Sequence, residues 1–172
     1  MTTCLKSPIL ITSSQDNALM VWVYSGPSSS LKLQYVAYLD DAVKAISLHP
    51  SGLYLVVAHF DCIKHYCVFG NGVKAYHSIP IKGVSEVKFA NGGHIYTVND
   101  GENKVHLIKF WEGQISQTFE GHKTKVKQIA WLEDDSGFVS TGSDKQVIFW
   151  KVKPAVGQKN PIWTFTDENT LF

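Results

Sequence analysis

The chain has 172 residues, of which 44% are hydrophobic and 18% charged, and its formal net charge is +1. This composition excludes a disordered chain and fits one domain with a hydrophobic core. All sixteen basic residues besides histidine are lysine, and the missing arginine and the small net charge argue against nucleic acid or acidic lipid as the partner.

Short alternating runs rich in Val, Ile, Tyr and Phe predict an all-β chain, because Gly, Pro, Asn and Asp separate them. In chain order, the first unit has strands at 9–12, around Trp22 and at 33–38, and we expect it to lack an innermost strand. The second unit has predicted strands at 43–48, 53–58, 63–69 and 73–77. The third has them at 84–89, 94–98, 104–110 and 114–119, and the fourth at 126–132, 138–141, 146–152 and 162–165.

The units repeat with a nearly constant period. The third-strand anchors are spaced by 44, 42 and 42 residues, and they are Trp22, Tyr66, Ile108 and Trp150. A four-stranded unit that recurs about every 40–45 residues is typical of a β-propeller blade. Such a blade has two apolar faces and must stack on its neighbours to bury them.

The fourth unit resembles the WD-repeat signature. It contains Gly121-His122, then Ser140-Thr141-Gly142-Ser143-Asp144, then Val147-Ile148-Phe149-Trp150. In WD-repeat proteins the His, Ser, Asp and Trp of a blade form a buried hydrogen-bonded network. The resemblance therefore implies a structural network of His122, Ser140, Asp144 and Trp150.

The other units depart from the signature. The first has Thr12, Asp16 and Trp22 but no evident histidine. The second has Tyr66 at the tryptophan position. The third has Glu102 and Ile108 at the aspartate and tryptophan positions. We expect a complete network in the fourth unit alone and degenerate networks in the others.

The resemblance implies an all-β WD-repeat β-propeller that is partial, with about three full four-stranded blades and most of a fourth. The predicted blades of this single domain span residues 1–40, 41–80, 81–120 and 121–168. Propellers have roughly four to eight blades. We therefore expect further sequence or another chain to complete this one.

A narrower resemblance is to the ciliary WD-repeat proteins, and residues 46–54, 89–94 and 121–122 carry it. It implies an axonemal scaffold that helps to position inner dynein arms or regulatory complexes on doublet microtubules. The expected partners are axonemal proteins, with tubulin among the candidates. The alternative is a cytosolic WD-repeat adaptor, such as a substrate receptor of a ubiquitin ligase.

Two sets of residues have the types found in catalytic or metal sites. His122, Ser140 and Asp144 match a serine-hydrolase triad by type, but no Gly-x-Ser-x-Gly elbow surrounds Ser140, and we expect no catalysis and no cofactor. Zinc-ligand types occur at His59, Cys62, His65 and Cys67. We expect no bound metal, because a tight hairpin rarely brings four such side chains to a tetrahedron.

The compartment follows from the cysteines and the N-terminus. Cys4, Cys62 and Cys67 cannot all pair within the chain. Residues 1–10 do not resemble a signal peptide, and no apolar run approaches the roughly 18–20 residues of a membrane-spanning helix. These features predict reduced thiols in a cytosolic or ciliary compartment.

Lys123, Lys125 and Lys127 alternate after Gly121-His122, at the entrance of the first strand of the fourth unit, and could form a small basic patch for acidic partners. The alternative, which we favour, is a solvated loop balanced by Glu120 and by the acidic run 133–135.

Overall fold

The computed structural model describes residues 1–4, 7–25, 30–152 and 163–166. In these ranges sixteen strands form four sheets of four, and the predicted all-β class is confirmed. No helix in the described part of the chain has the length and apolar character to cross a lipid bilayer. The chain divides into an N-terminal unit, Met1–Val87, and a C-terminal unit, Lys88–Phe172.

The N-terminal unit contains two antiparallel sheets that we call blades 1 and 2. Blade 1 consists of β1 (Thr2–Thr3), β2 (Ile9–Ser13), β3 (Ala18–Ser25) and β4 (Ser30–Tyr38). Blade 2 consists of β5 (Ala45–Leu48), β6 (Tyr54–Ala58), β7 (Ile63–Phe69) and β8 (Gly72–Ile79).

The C-terminal unit contains blades 3 and 4 with the same connectivity. Blade 3 consists of β9 (Val87–Phe89), β10 (Ile95–Asn99), β11 (Val105–Lys109) and β12 (Gln114–Phe119). Blade 4 consists of β13 (Val126–Trp131), β14 (Gly137–Gly142), β15 (Gln146–Lys151) and β16 (Trp163–Thr166). The predicted last strand began at Ile162, which lies outside the described residues.

The structure differs from the sequence prediction most clearly at the innermost strands. Thr2 and Thr3 pair with Ile11 and Leu10, so the first unit does have an innermost strand, too short to show a period. The predicted strands at 43–48 and 84–89 begin too early, because Val43 and Val84 are apolar loop residues that pack without joining a ladder.

A register shift recurs where the third strand of a blade meets the fourth. It lies between Val21 and Trp22, between His65 and Tyr66, and between Leu107 and Ile108. Each shift therefore falls directly before an anchor residue. A bulge of this kind bends a strand and increases its twist, and here it fixes the face on which each anchor lies.

In both units the two blades pack face to face. Ile11, Leu19 and Val21 of blade 1 share a core with Leu55, Val57 and Tyr66 of blade 2. The corresponding core of the C-terminal unit joins Val105, Leu107 and Phe119 of blade 3 to Phe138, Ile148 and Trp150 of blade 4. In blade 2 and in blade 4, the side of the sheet that packs against the preceding blade is the side that carries the anchor residue, Tyr66 or Trp150.

Candidate functional site

The structure brings the four network residues of blade 4 together. The indole N–H of Trp150 donates to Ser140 Oγ at 2.8 Å, and His122 Nε2 lies 2.7 Å from the same oxygen. His122 Nδ1 lies 3.1 Å from both carboxylate oxygens of Asp144. Asp144 also accepts the backbone N–H of Lys123 at 2.9 Å. The four side chains thus form one continuous chain of hydrogen bonds.

Each member comes from a different element. Ser140 lies on β14 opposite Ile148, and Trp150 lies on β15 opposite Phe138. Asp144 lies in the turn between these strands, where it caps the N–H of Gln146. His122 precedes β13. The network therefore connects the loop before the first strand, by hydrogen bonds, to the second and third strands of the blade.

A single protonation pattern satisfies every polar atom. Ser140 Oγ accepts the indole N–H and can donate its own proton to His122 Nε2. His122 Nδ1–H then donates to Asp144. Buried donors and acceptors that are matched in this way avoid the cost of an orphaned polar group.

The same geometry closes Ser140 to a substrate. Its relative exposure is 0%, and its oxygen already contacts the indole of Trp150. A serine nucleophile needs an open path to its oxygen and an oxyanion hole beside it. The His122–Ser140–Asp144 arrangement therefore acts as a brace inside the blade.

Replacing Ser140 with alanine is expected to lower the free energy of unfolding by about 1–3 kcal/mol, because the indole N–H and His122 Nε2 lose their shared partner. Urea unfolding followed by circular dichroism measures this loss. The matched control is Ser143→Ala, since Ser143 is exposed in the following turn. Equal stabilities of the two variants, or an esterase activity that Ser140→Ala removes, would contradict the role of a brace.

Asp144 makes the network sensitive to pH. Burial by itself raises the pKa of its carboxyl. Hydrogen bonds from the N–H of Lys123, from His122 and from the N–H of Gln146, together with the attraction of His122, outweigh burial and hold the pKa below its usual value. A carboxylate with a lowered folded-state pKa stabilises the fold above its unfolded pKa, and the contribution disappears as the pH falls through the folded value.

We therefore expect Asp144→Asn to be less stable than the unmodified chain at pH 7, with a difference that shrinks below about pH 3.9, the usual aspartate pKa. Urea unfolding between pH 7 and pH 2.5 tests this. Asp61→Asn removes an exposed carboxylate and serves as the control at pH 7. A difference that persists unchanged to pH 2.5 would show that packing, rather than charge, explains the loss.

Blade 1 retains part of the network. The indole N–H of Trp22 donates to Thr12 Oγ1 at 3.0 Å, as Trp150 does to Ser140. Asp16 caps the N–H of Ala18 at 3.2 Å, as Asp144 caps Gln146. The structure thus places Thr12, Asp16 and Trp22 in positions equivalent to three of the four residues of blade 4.

Blade 2 replaces the tryptophan–serine pair by a tyrosine and a histidine. The Tyr66 hydroxyl lies 3.4 Å from His59 Nε2, and His59 Nδ1 lies 3.2 Å from the carbonyl oxygen of Ala42. Burial lowers the pKa of His59 and raises that of Tyr66. The sequence indicated His59 only as a metal-ligand type, and its contact with Tyr66 was not predicted. The tyrosine hydroxyl extends further from the backbone than the tryptophan N–H of the signature, so its partner lies at a different position.

Blade 3 has a different polar cluster. Ile108 is buried opposite Tyr96, as the anchor spacing requires. Glu102 does hold the position in its turn that Asp144 holds in blade 4, midway between the paired residues Asn99 and Val105, but its side chain is exposed and pairs with Lys104 at 3.0 Å. Asp100 caps the N–H groups of Glu102 and Lys104 instead. Aspartate commonly accepts hydrogen bonds from backbone N–H groups of the turn that follows it, because its side chain is short.

Asp100 also connects this turn to the strands. His106 Nε2 lies 2.9 Å from Asp100 Oδ2, and His106 Nδ1 lies 3.0 Å from Thr118 Oγ1. The cluster joins the second, third and fourth strands of the blade. The sequence signal that could have found it is a histidine on β11, six residues after an aspartate that opens a turn.

The four zinc-ligand types do not converge. His59 contacts Tyr66, whereas His65 packs beside His77 with ring centroids 5.3 Å apart. Burial, and then the proximity of His77, lowers the pKa of His65 to about 4. Cys62 and Cys67 are free thiols. Among the residues that the structure describes, no group of three or more His, Cys, Asp and Glu side chains could hold a metal ion.

Lys123 and Lys125 precede β13, Lys127 lies on it, and all three side chains are exposed. In the described part of the chain, no carboxylate lies within ion-pairing distance of Lys123, Lys125 or Lys127. Glu120, expected to balance them, lies 3.6 Å from Lys104 instead. The acidic run 133–135 follows the far end of β13, where Asp135 accepts the N–H groups of Asn91 and Gly92. These acidic residues therefore do not pair with the three lysines.

Comparison with known proteins agrees with the blade geometry. Residues 113–151 match the family model described as WD domain, G-beta repeat. The chain is 31% identical over 150 residues to cilia- and flagella-associated protein 57 of Mus musculus, which covers 87% of this chain and 12% of the mouse protein. Cilia- and flagella-associated protein 57 A of Tetrahymena thermophila is 29% identical over 166 residues, or 95% of this chain and 12% of that protein.

A more distant relative shares the repeats. WD repeat-containing protein 1 of Xenopus tropicalis is 29% identical over 116 residues, which is 65% of this chain and 19% of the relative. The chain thus spans about 12% of the length of the two ciliary relatives. The family resemblance predicted from the sequence is confirmed: the chain belongs to the WD-repeat β-propeller proteins and is similar over most of its length to cilia- and flagella-associated protein 57.

Proposed function

We propose that the chain is part of a non-enzymatic scaffold in the axoneme of cilia or flagella, which helps to position inner dynein arms or regulatory complexes on doublet microtubules. The observation that carries the proposal is the similarity to cilia- and flagella-associated protein 57 over 87–95% of the chain. Rigid blades suit this task, because a partner can contact several of their loops at once.

The polar clusters support a role without catalysis. The hydroxyl oxygen of Ser140 is closed to solvent. The other polar clusters bond their own blade, since Tyr66 reaches His59 and His106 reaches Asp100 and Thr118. In the proposed scaffold these polar groups stabilise blades, and the partners bind elsewhere.

Lys123, Lys125 and Lys127 are the proposed contact for acidic partners, including the acidic tails of tubulin. They are exposed, and the described carboxylates leave them unpaired. Their backbone is held in place, because the N–H of Lys123 donates to Asp144 and the carbonyl of Lys125 accepts from Ser143. Because this backbone is already ordered, binding of a partner has to order the lysine side chains but not the loop itself.

Proximity labelling of the tagged full-length gene product in a ciliated cell tests the scaffold. We expect label along the axoneme with dynein-arm components enriched. Diffuse cytosolic label with ubiquitin-ligase subunits would support the alternative, a WD-repeat adaptor, and would contradict the ciliary role.

Charge reversal tests the lysine contact in the same cells. Substituting glutamate at Lys123, Lys125 and Lys127 should reduce labelling of tubulin or other acidic partners while the protein remains folded. The matched control reverses three exposed lysines of the N-terminal unit, Lys32, Lys44 and Lys74. Equal labelling by both variants would exclude the patch and leave the scaffold itself untouched.

A further inference from the structure

The sequence contains the dipeptides Asn71-Gly72 and Asn91-Gly92, which are open to the same chemistry. Asparagine before glycine is especially reactive, because glycine has no side chain to keep its backbone nitrogen away from the asparagine side chain. The glycine nitrogen attacks the side-chain carbonyl carbon and gives up its proton, and the amide group leaves as ammonia from the resulting cyclic imide. Water then adds to either imide carbonyl and gives aspartate or isoaspartate. Both asparagines are exposed, so water reaches both.

Asp135 holds the two reacting groups at Asn91. Its carboxylate accepts the N–H of Gly92 at 2.6 Å and the side-chain amide of Asn91 at 3.1 Å. The same amide donates to the carbonyl oxygens of Leu132 and Glu133 at 2.8 and 3.3 Å. Hydrogen bonds to an ionised acceptor are stronger than those between neutral groups. Because ring closure requires the Gly92 nitrogen to lose its proton and approach the amide carbon, these bonds have to break first.

Asn71 has no such restraint. It lies at the tip of the hairpin between β7 and β8, where Phe69 pairs with Gly72. In the part of the chain that the structure describes, no group forms a hydrogen bond with its side-chain amide. A Cβ atom built at Gly72 would meet nothing within 4 Å, which leaves room for the imide. Exposed loop tips also open locally at low cost in free energy.

We infer that Asn71 is a site of spontaneous deamidation and that Asp135 protects Asn91 from the same reaction. Both asparagines precede a glycine, so the difference comes from the hydrogen bonds of the folded chain. The reaction consumes water alone and needs no enzyme. It places a negative charge at position 71, and isoaspartate also adds one carbon atom to the backbone path.

The hairpin that carries Asn71 contacts blade 1. Gln34 Nε2 and the Tyr35 hydroxyl, both on β4, donate to the carbonyl oxygens of Gly70 and Gly72, each at 3.0 Å. These two carbonyls flank position 71, so an extra backbone carbon there displaces one relative to the other. Deamidation of Asn71 therefore loosens the contact between β4 and the hairpin of blade 2.

Incubation of the full chain at neutral pH tests the inference. Peptide mass spectrometry measures the rate of deamidation at Asn71 and Asn91, both in the folded chain and in urea. In urea the two rates should be similar. In the folded chain Asn91 should react about tenfold more slowly than Asn71, because its hydrogen bonds must open before the ring can close. Equal rates in the folded chain would overturn the inference.

A variant at Asp135 tests the protection. Asp135→Gly removes the carboxylate where φ is 56°, a value that glycine adopts readily, and should raise the rate at Asn91 towards that of Asn71. Asp134→Gly is the matched control, because the Asp134 carboxylate bonds to Ser136 and not to Asn91. Circular dichroism verifies that both variants are folded. An unchanged rate at Asn91 in folded Asp135→Gly would contradict the protective role.

The reacted chain tests the consequence for blade 1. Anion exchange separates the molecules that carry the new charge at position 71, and these should unfold at a lower urea concentration than the unreacted chain. Equal unfolding midpoints would overturn the loosening of the contact with β4. None of these measurements involves axonemal partners, so the proposed scaffold stands or falls separately.

Discussion

Replacing Trp150 with alanine is expected to lower the free energy of unfolding of the C-terminal unit by about 3–5 kcal/mol. The indole is 1% exposed and packs against the rings of Phe119 and Phe138 at 5.3 and 6.2 Å. The substitution also removes the indole N–H that donates to Ser140 Oγ. The loss of unfolding free energy in this variant therefore combines the cost of a cavity with the cost of a lost hydrogen bond. Urea unfolding followed by circular dichroism measures the combined loss.

The matched control is Trp111→Ala. Trp111 is 66% exposed at the turn after β11 and contacts the ring of Phe110. Its removal should cost about 1 kcal/mol or less, because little apolar area returns to water. Similar losses for the two variants would mean that the Trp150 network does not hold blade 4 together.

The sequence predicts the third strands well because their anchors recur at a fixed period. Trp22, Tyr66 and Trp150 all lie on the face that the spacing indicates, each opposite an apolar residue of the second strand. Periodicity is informative here since each blade must bury the same stripe against a neighbour. Strands without such an anchor, such as Thr2–Thr3, carry no comparable signal.

The polar clusters of blade 4 and blade 1 could be predicted, because their residue types match all or part of one known signature. In blade 3 the aspartate that bonds the histidine is Asp100 rather than a residue at the expected position. In blade 2 the histidine that contacts the Tyr66 hydroxyl is His59, which follows the second strand instead of preceding the first. The common requirement is that buried polar groups be satisfied. Side chains of different length can satisfy this requirement from different positions in the sequence. Counting residues from the anchor therefore does not identify the hydrogen-bond partners.

Glycine at position 137 has a role that spacing does not reveal. Gly137 opens β14 opposite Lys151, and a Cβ atom there would collide with the backbone carbonyl oxygen of Trp150. Because that oxygen belongs to the sheet backbone, it cannot rotate away as a flexible side chain could. The close approach sets the spacing of the two strands beside Trp150, which pairs with Phe138 and whose indole donates to Ser140 Oγ.

We therefore expect Gly137→Ala to destabilise the C-terminal unit by about 3 kcal/mol, the upper part of the range for overpacked sites. Urea unfolding measures the loss, and the tryptophan fluorescence should shift if the indole leaves its pocket. Gly72→Ala is the control, because nothing lies within 4 Å of a Cβ atom built there. If Gly137→Ala were as stable as Gly72→Ala, the strands could separate without disturbing Trp150. The anchor would then be held by apolar packing alone, and the register of β14 and β15 would not be what positions the network.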